Sequence, residues 1–312
     1  MIKIRKASVV LIILFLASDI SYAISFNRII YPIKTKDASG DILEQKQPPA
    51  RIVSIDPAIT ETLYELNLGD KIVAITGNCD YPEETKQVQK VGNDRADIGK
   101  IAELKPDLVL ANLETQKDDI AKLRRTMLPP ASGETQSSPI KVFAVDPHSL
   151  RDIYYVISVI GTVTNKEHSA YSLLQKMKRR IEWVEARAMK EKRLKALAVV
   201  KRGPLTVAAE GTYLHDLLRL SGFIDVSPRG KGLYPKMKRD EITKADPDIL
   251  ITCANVAKDP AGIYNDGDFR KTSAGKNKRA VSIGTEVFSR PGPRVAQALE
   301  EIAAQAHGWS LP

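Results

Sequence analysis

The decapeptide Ile-Ala-Glu-Leu-Lys-Pro-Asp-Leu-Val-Leu at 101–110 is answered by Ile-Thr-Lys-Ala-Asp-Pro-Asp-Ile-Leu-Ile at 242–251, with Pro106 over Pro247 and Asp107 over Asp248. In both copies a helical stretch stops at a proline, which has no amide hydrogen to extend the helix, and a run of branched apolar residues follows. A strand without polar alternation is buried on both faces, the place it takes in a parallel sheet covered by helices. One such unit in each half predicts an α/β chain of two lobes, each an open parallel sheet flanked by helices. The length of 312 residues, 43% of them hydrophobic, suits two domains of ordinary size.

Between the copies, residues 146–192 read as helix. Ile153, Val156, Ile157, Ile160 and Val163 share one face; after Thr164-Asn165 the pattern restarts with Leu174, Met177, Ile181, Val184 and Ala188, with charged residues behind. The second stretch is expected to be the long backbone helix joining the lobes. Upstream, residues 51–55 read as a strand, followed by a loop at 56–58, a helix capped near Thr60 and closed by Gly69, and a strand at 71–76. A further helix is expected from 116 to 127, a loop from 128 to 139, and the last strand of this half at 141–145. The second half repeats the plan, with strands at 196–200 and 223–226 and a helix at 212–220. The expected divisions are a signal peptide at 1–23, an entry hairpin at 24–50 around the turn at 37–40, a first lobe at 51–148, a helical linker at 149–192 and a second lobe at 193–312.

Residues 1–23 carry Lys3, Arg5 and Lys6, an apolar run from Ala7 to Ala17, and Ser21-Tyr22-Ala23. This order marks a cleaved secretion signal, and the run is too short for the roughly twenty residues of a membrane span. The expected location is the periplasm. Its removal lowers the formal charge from +9 to +7. The basic residues are dispersed and lack interleaved aromatics, which argues against a nucleic-acid partner.

In open α/β sheets ligands bind outside the carboxyl ends of the strands. Here the candidate loops are 56–60, 77–84, 93–98, 201–204, 229–237, 253–258 and 285–294. They contain no P-loop, nucleophile elbow, zinc-protease helix or C-x-x-C, and no histidine. His148, His168, His215 and His307 are scattered, so neither a metal site nor a reaction is proposed by the sequence, and the protein is expected to have no cofactor of its own. An exported enzyme on the same scaffold is the alternative to a binding module.

The stretches DPAITETLYELNLGDKIVAI (56–75), CDYPEE (79–84), KVGN (90–93), IAELKPDLVLA (101–111) and SRPGPRVAQALEEIA (289–303) carry a resemblance. Taken in this order with the linker helix, the chain from Arg51 onward resembles the class III periplasmic binding proteins that serve ABC importers for vitamin B12, ferric siderophores and haem. The resemblance implies two Rossmann-like lobes with parallel sheets joined by a single long backbone helix, in a monomer that captures a cobalt or iron chelate and hands it to a permease in the inner membrane. It points to Tyr81, beside Asp80, and to Tyr234 on the facing lobe as rings packing on a flat ligand. Asn93 lies in the same loops, and Arg95, Arg202, Arg229 and Arg290 are candidate cations for ligand carboxylates or catecholates. Where B12 binders often place a tryptophan, Asn93-Asp-Arg-Ala-Asp97 has no ring, so another corrinoid, a haem or a ferric chelate stays open. For permease docking the resemblance implies Glu241 on the second lobe. The first-lobe position falls on Gly99, with Asp97 or Glu103 as substitutes. Cys79 and Cys253, one per lobe, are expected at the cleft as free thiols; a cross-cleft disulfide and thiolate ligation of a bound metal are the alternatives.

Overall fold

A computed structural model describes residues 30–130 and 136–311; the expected signal at 1–23 lies outside the described residues. The chain enters through a hairpin of β1 (Ile33–Lys36) and β2 (Ile42–Gln45). Its turn is knotted by Asp37, which accepts from Ser39 and Asp41, and docks on the first lobe through Arg124 and the Ala144 amide.

The first lobe contains β3 (Ile52–Ser54), α1 (Pro57–Glu65), β4 (Ile72–Ile75), α2 (Ile98–Glu103), β5 (Leu108–Asn112), α3 (Leu113–Arg125), the two-residue pair β6 (Met127–Leu128) and β7 (Ser138–Pro139), and β8 (Val142–Val145). Strands β4, β3, β5 and β8 form one parallel sheet in that order. Every residue of β5 is buried, as its unbroken apolar run requires. Helix α1 starts at Asp56, whose carboxylate caps the Ile59 amide with Pro57 just inside, rather than near Thr60. Helix α3 likewise begins before the expected Gln116, because Asn112 caps Glu114 and Thr115; residues 127–128 pair as strand instead of extending it.

Two helices lead to the second lobe. A capping box between Ser149 and Asp152 starts α4 (Leu150–Val163), and α5 (Glu167–Ala188) follows with 22 residues, about 33 Å at 1.5 Å per residue. Gly161 permits their close packing, since a Cβ there would lie 2.6 Å from that of Ala170. Leu173 fills the interior position expected of Leu174.

The second lobe runs β9 (Lys195–Arg202), β10 (Leu205–Val207), α6 (Tyr213–Leu220), β11 (Ile224–Asp225), α7 (Arg239–Ala245), β12 (Ile249–Cys253), α8 (Ala261–Tyr264), α9 (Ser273–Lys276), β13 (Ala280–Ile283), α10 (Thr285–Ser289) and α11 (Val295–His307). Strands β11, β9, β12 and β13 are parallel, and β10 turns back on the far end of β9. The paired motif has one structural role in both lobes: Asp107 accepts from the Arg51 amide and Asp248 from the Lys195 amide, so each aspartate fixes the start of the neighbouring strand. Among the described residues no helix is long and apolar enough to cross a membrane.

Candidate functional site

The carboxyl ends of both sheets open into two adjoining cavities. One, about 520 Å³, lies between the lobes. Its first-lobe wall comes from the loops after β3, β4, β5 and β8, with Asp56, Asn78, Glu114 and Pro147, and its other wall carries Tyr213, Tyr234, Ser289 and Arg290. The second, about 470 Å³, sits over β9, β12 and β13 and is lined by Lys201, Arg202, Cys253 and Asn255. Tyr213, Tyr234 and Ser289 line both, so the two form one continuous cleft.

Aromatic character is concentrated on the second lobe. Tyr213 is buried and its hydroxyl donates to the Phe288 carbonyl at 2.6 Å, which fixes the ring as part of the wall. Tyr234 keeps an exposed face; partial burial and then the charge of Glu114 across the cleft raise its phenol pKa.

The lobes meet at a charged junction. Glu61 of α1, with only 1% of its side chain exposed, receives Arg294 through two bonds, at 2.8 and 2.6 Å, and Arg290 at 3.0 Å. Arg290 also donates to Asp80 at 2.7 Å and to the Asn78 carbonyl at 3.2 Å. Burial disfavours the Arg290 charge, but its bonds to Asp80 and Glu61 outweigh that and raise its pKa; burial likewise raises the Asp80 carboxyl, and Arg290 more than reverses it. The Arg294 guanidinium carbon stands 4.1 Å from the centre of the Tyr81 ring, a cation–π contact that fixes one ring face. Gly292 between the two arginines lets the loop press on α1, because a Cβ there would come 3.1 Å from that of Ala58.

The other expected site residues are dispersed. Tyr81 and Asp80 stand at the junction, beside the cleft rather than among its lining residues. Asn93 is exposed and abuts Gly77, while its neighbour Asp94 lines the interlobe cavity. Arg95 is exposed, with its guanidinium 3.8 Å from both Asp118 and Asp119. Arg202 lines the second-lobe cavity but pairs with Asp266, and Arg229 is exposed on the surface. Glu241 caps α7 at the Lys238 amide and pairs with Lys231 at 2.6 Å; Asp97 caps α2, and Glu103 is exposed at that helix's end. Both cysteines are free and buried: Cys253 lines the cleft, whereas Cys79 lies wholly inside the first-lobe core.

Several lining groups escape the sequence. Asn112, Glu114 and Gln116 reach the cleft because α3 begins at its rim, and Tyr213 does so from inside an amphipathic helix. His148, assigned to no loop, stands 3.7 Å from Glu114 and 3.3 Å from Asp146. The Asn-x-Glu-Thr run at 112–115 was the one available signal, as a helix cap.

Two parallel-sheet lobes meeting over a shared cleft, joined by helices that leave the strand ends open, define a two-lobed ligand-binding protein. The chain belongs to the periplasmic binding protein family, whose match spans residues 52–287. It is 29% identical over 282 residues, 88% of this chain and 85% of the relative, to the uncharacterized ABC transporter substrate-binding lipoprotein YvrC of Bacillus subtilis. Its fold is that of the periplasmic vitamin B12 binding protein BtuF of Vibrio cholerae (TM-score 0.68, 21% identity, covering 83% of this chain and 97% of that one). The periplasmic haem binding protein HutB of Vibrio cholerae is equally similar (TM-score 0.69, 21% identity, 81% and 97% covered). Family membership places the protein outside the cytoplasm.

Proposed function

We propose that the protein is exported by a cleaved signal at residues 1–23 and, as a monomer in the periplasm, captures a metal chelate in the interlobe cleft for delivery to an ABC-transporter permease. The observation that carries this reading is the continuous cleft at the carboxyl ends of both sheets, walled by Tyr213 and Tyr234. A flat or bulky chelate gains most from ring faces and from a cavity already formed, since little ordering then accompanies binding. Corrinoids, haems and ferric siderophores all answer to this description, and similarity to vitamin B12- and haem-binding proteins supports the class. Tyr234 supplies the exposed ring on the second lobe and Tyr81, braced by Arg294, the ring at the lobe junction. Arg290 acts in holding the lobes together, and Arg202 is occupied by Asp266. Glu241 on the second lobe, with Asp97 or Glu103 on the first, is the acidic pair offered to the permease.

The test is calorimetry with cyanocobinamide, cobalamin, haemin and a ferric catecholate. One of them should bind with Kd below about 10 μM, near −7 kcal/mol; weaker binding by all four refutes the reading.

A further inference from the structure

Within this chelate-binding reading, the charges around the cleft discriminate among chelates. The protein as a whole is basic, with a formal charge of +9, yet three of the four charged groups lining the interlobe cavity are acidic, Arg290 being the fourth. Asp56, Asp94 and Glu114 line it, and none forms an ion pair with an arginine or lysine among the described residues, although the charge of Arg290 acts on Asp56. Burial raises the Asp56 carboxyl to about 6, so the exposed Asp94 and Glu114 are the acids that a ligand meets. Behind Glu114, Asp146 and His148 bring their ligand atoms within 4.8 Å of it and of one another. The cations nearby are mostly committed: Arg290 to Glu61 and Asp80, Arg202 to Asp266. Of the three basic residues lining the two cavities, Lys201 alone has no ion pair among the described residues, and it lies in the second-lobe cavity, away from the acidic wall.

We infer that the cleft takes a neutral or cationic chelate whose periphery offers hydrogen-bond donors, such as carboxamides or ammonium groups, and disfavours chelates bearing several carboxylates or catecholates. Donors on the ligand satisfy Asp94 and Glu114 as charge-assisted hydrogen bonds. Acceptor-only anions meet like charge at Asp94 and Glu114, which no arginine or lysine among the described residues neutralises by an ion pair.

Two kinds of measurement test this. Chelates matched in framework and differing in charge are compared by calorimetry: cyanocobinamide against cyanocobyrinic acid, and ferrioxamine B against its N-succinyl derivative. The amide or ammonium member should bind at least about tenfold tighter, a gap of roughly 1.4 kcal/mol, and the gap should fall below about threefold in the Asp94→Asn/Glu114→Gln double variant. Equal or tighter binding of the anionic members overturns the inference. The second measurement needs no chelate and therefore separates this inference from the functional reading. In a Cys79→Ser/Cys253→Ser/Ser289→Cys variant the one thiol sits where the two cavities join. It should react at least about tenfold faster with a trimethylammonium methanethiosulfonate than with a sulfonate one, relative to free glutathione, and neutralising Asp94 and Glu114 should abolish the preference. No preference for the cationic reagent refutes the inference even if a chelate binds; a preference without chelate binding upholds the charge of the cleft while the functional reading falls.

Discussion

Replacing Arg294 by methionine should expose how firmly the junction between the lobes is built. The substitution removes two charge-assisted bonds to Glu61, whose side chain is 1% exposed, and leaves that carboxylate one bond from Arg290 at 3.0 Å. Each bond to a charged group contributes about 1.5–3 kcal/mol. Stripping all partners from a buried charge costs about 3–5 kcal/mol. Arg290 remains, and the arginine no longer needs desolvating, so the expected loss is about 2–4 kcal/mol. Urea unfolding followed by fluorescence measures it. Glu61→Gln in the same chain removes the stranded charge and should recover at least half of the loss, because the cost then reflects an uncompensated carboxylate. A loss below about 1 kcal/mol, the range of an exposed ion pair, or no recovery in the double variant, would refute this account.

Tyr234→Ala and Tyr81→Ala should each weaken binding of the cognate chelate by about 1–3 kcal/mol in calorimetry, while Tyr81→Phe, which keeps the ring over Arg294, should bind as the parent does. Glu241→Lys should abolish uptake in cells and leave chelate affinity unchanged; normal uptake would remove Glu241 from the docking surface. Thiol titration should find two reactive groups per chain in denaturant without reductant, and in the native protein Cys253 should react before Cys79, which is fully buried. Burial lifts the Asp56 carboxyl to about 6, so the folded protein holds this proton more tightly than the unfolded chain, and stability should fall as pH rises from about 4 to about 6, then level off. Asp56→Asn keeps the capping acceptor and should remove that part of the pH dependence; an unchanged slope would place its origin elsewhere.

The paired motif made the architecture legible because each of its parts has a local physical meaning: a proline stops a helix, an aspartate secures the next strand, and a fully apolar run can only be interior. The outcome at Asp107 and Asp248 follows that logic. Loops after strands were equally legible as cleft walls. What the sequence hides is where side chains go once helices begin. Asn112 starts α3 earlier than its apolar periodicity suggests and so brings Glu114 to the rim, and Tyr213 belongs to the buried stripe of α6 while also lining the cavity. Arg290 reads as available for ligand anions because its partner Glu61 is far away in sequence. Only the approach of the lobes reveals a buried carboxylate that claims it, together with Arg294.

The cleft is stitched on more than one side, which bears on how ligand is admitted. Beyond the Glu61 junction, the turn into α4 bonds directly to the second lobe: the Tyr213 amide donates to the His148 carbonyl at 2.6 Å, and the Leu150 amide to Asp216 at 2.9 Å. Both contacts join the start of the connecting helices to α6, near where the cavity has its Tyr213 wall. A wide hinge motion would have to break buried charge pairs and backbone bonds together, whereas entry through the open side of the cleft breaks neither. Binding then draws on a preformed surface, and the free energy that a large closure would consume stays available for affinity.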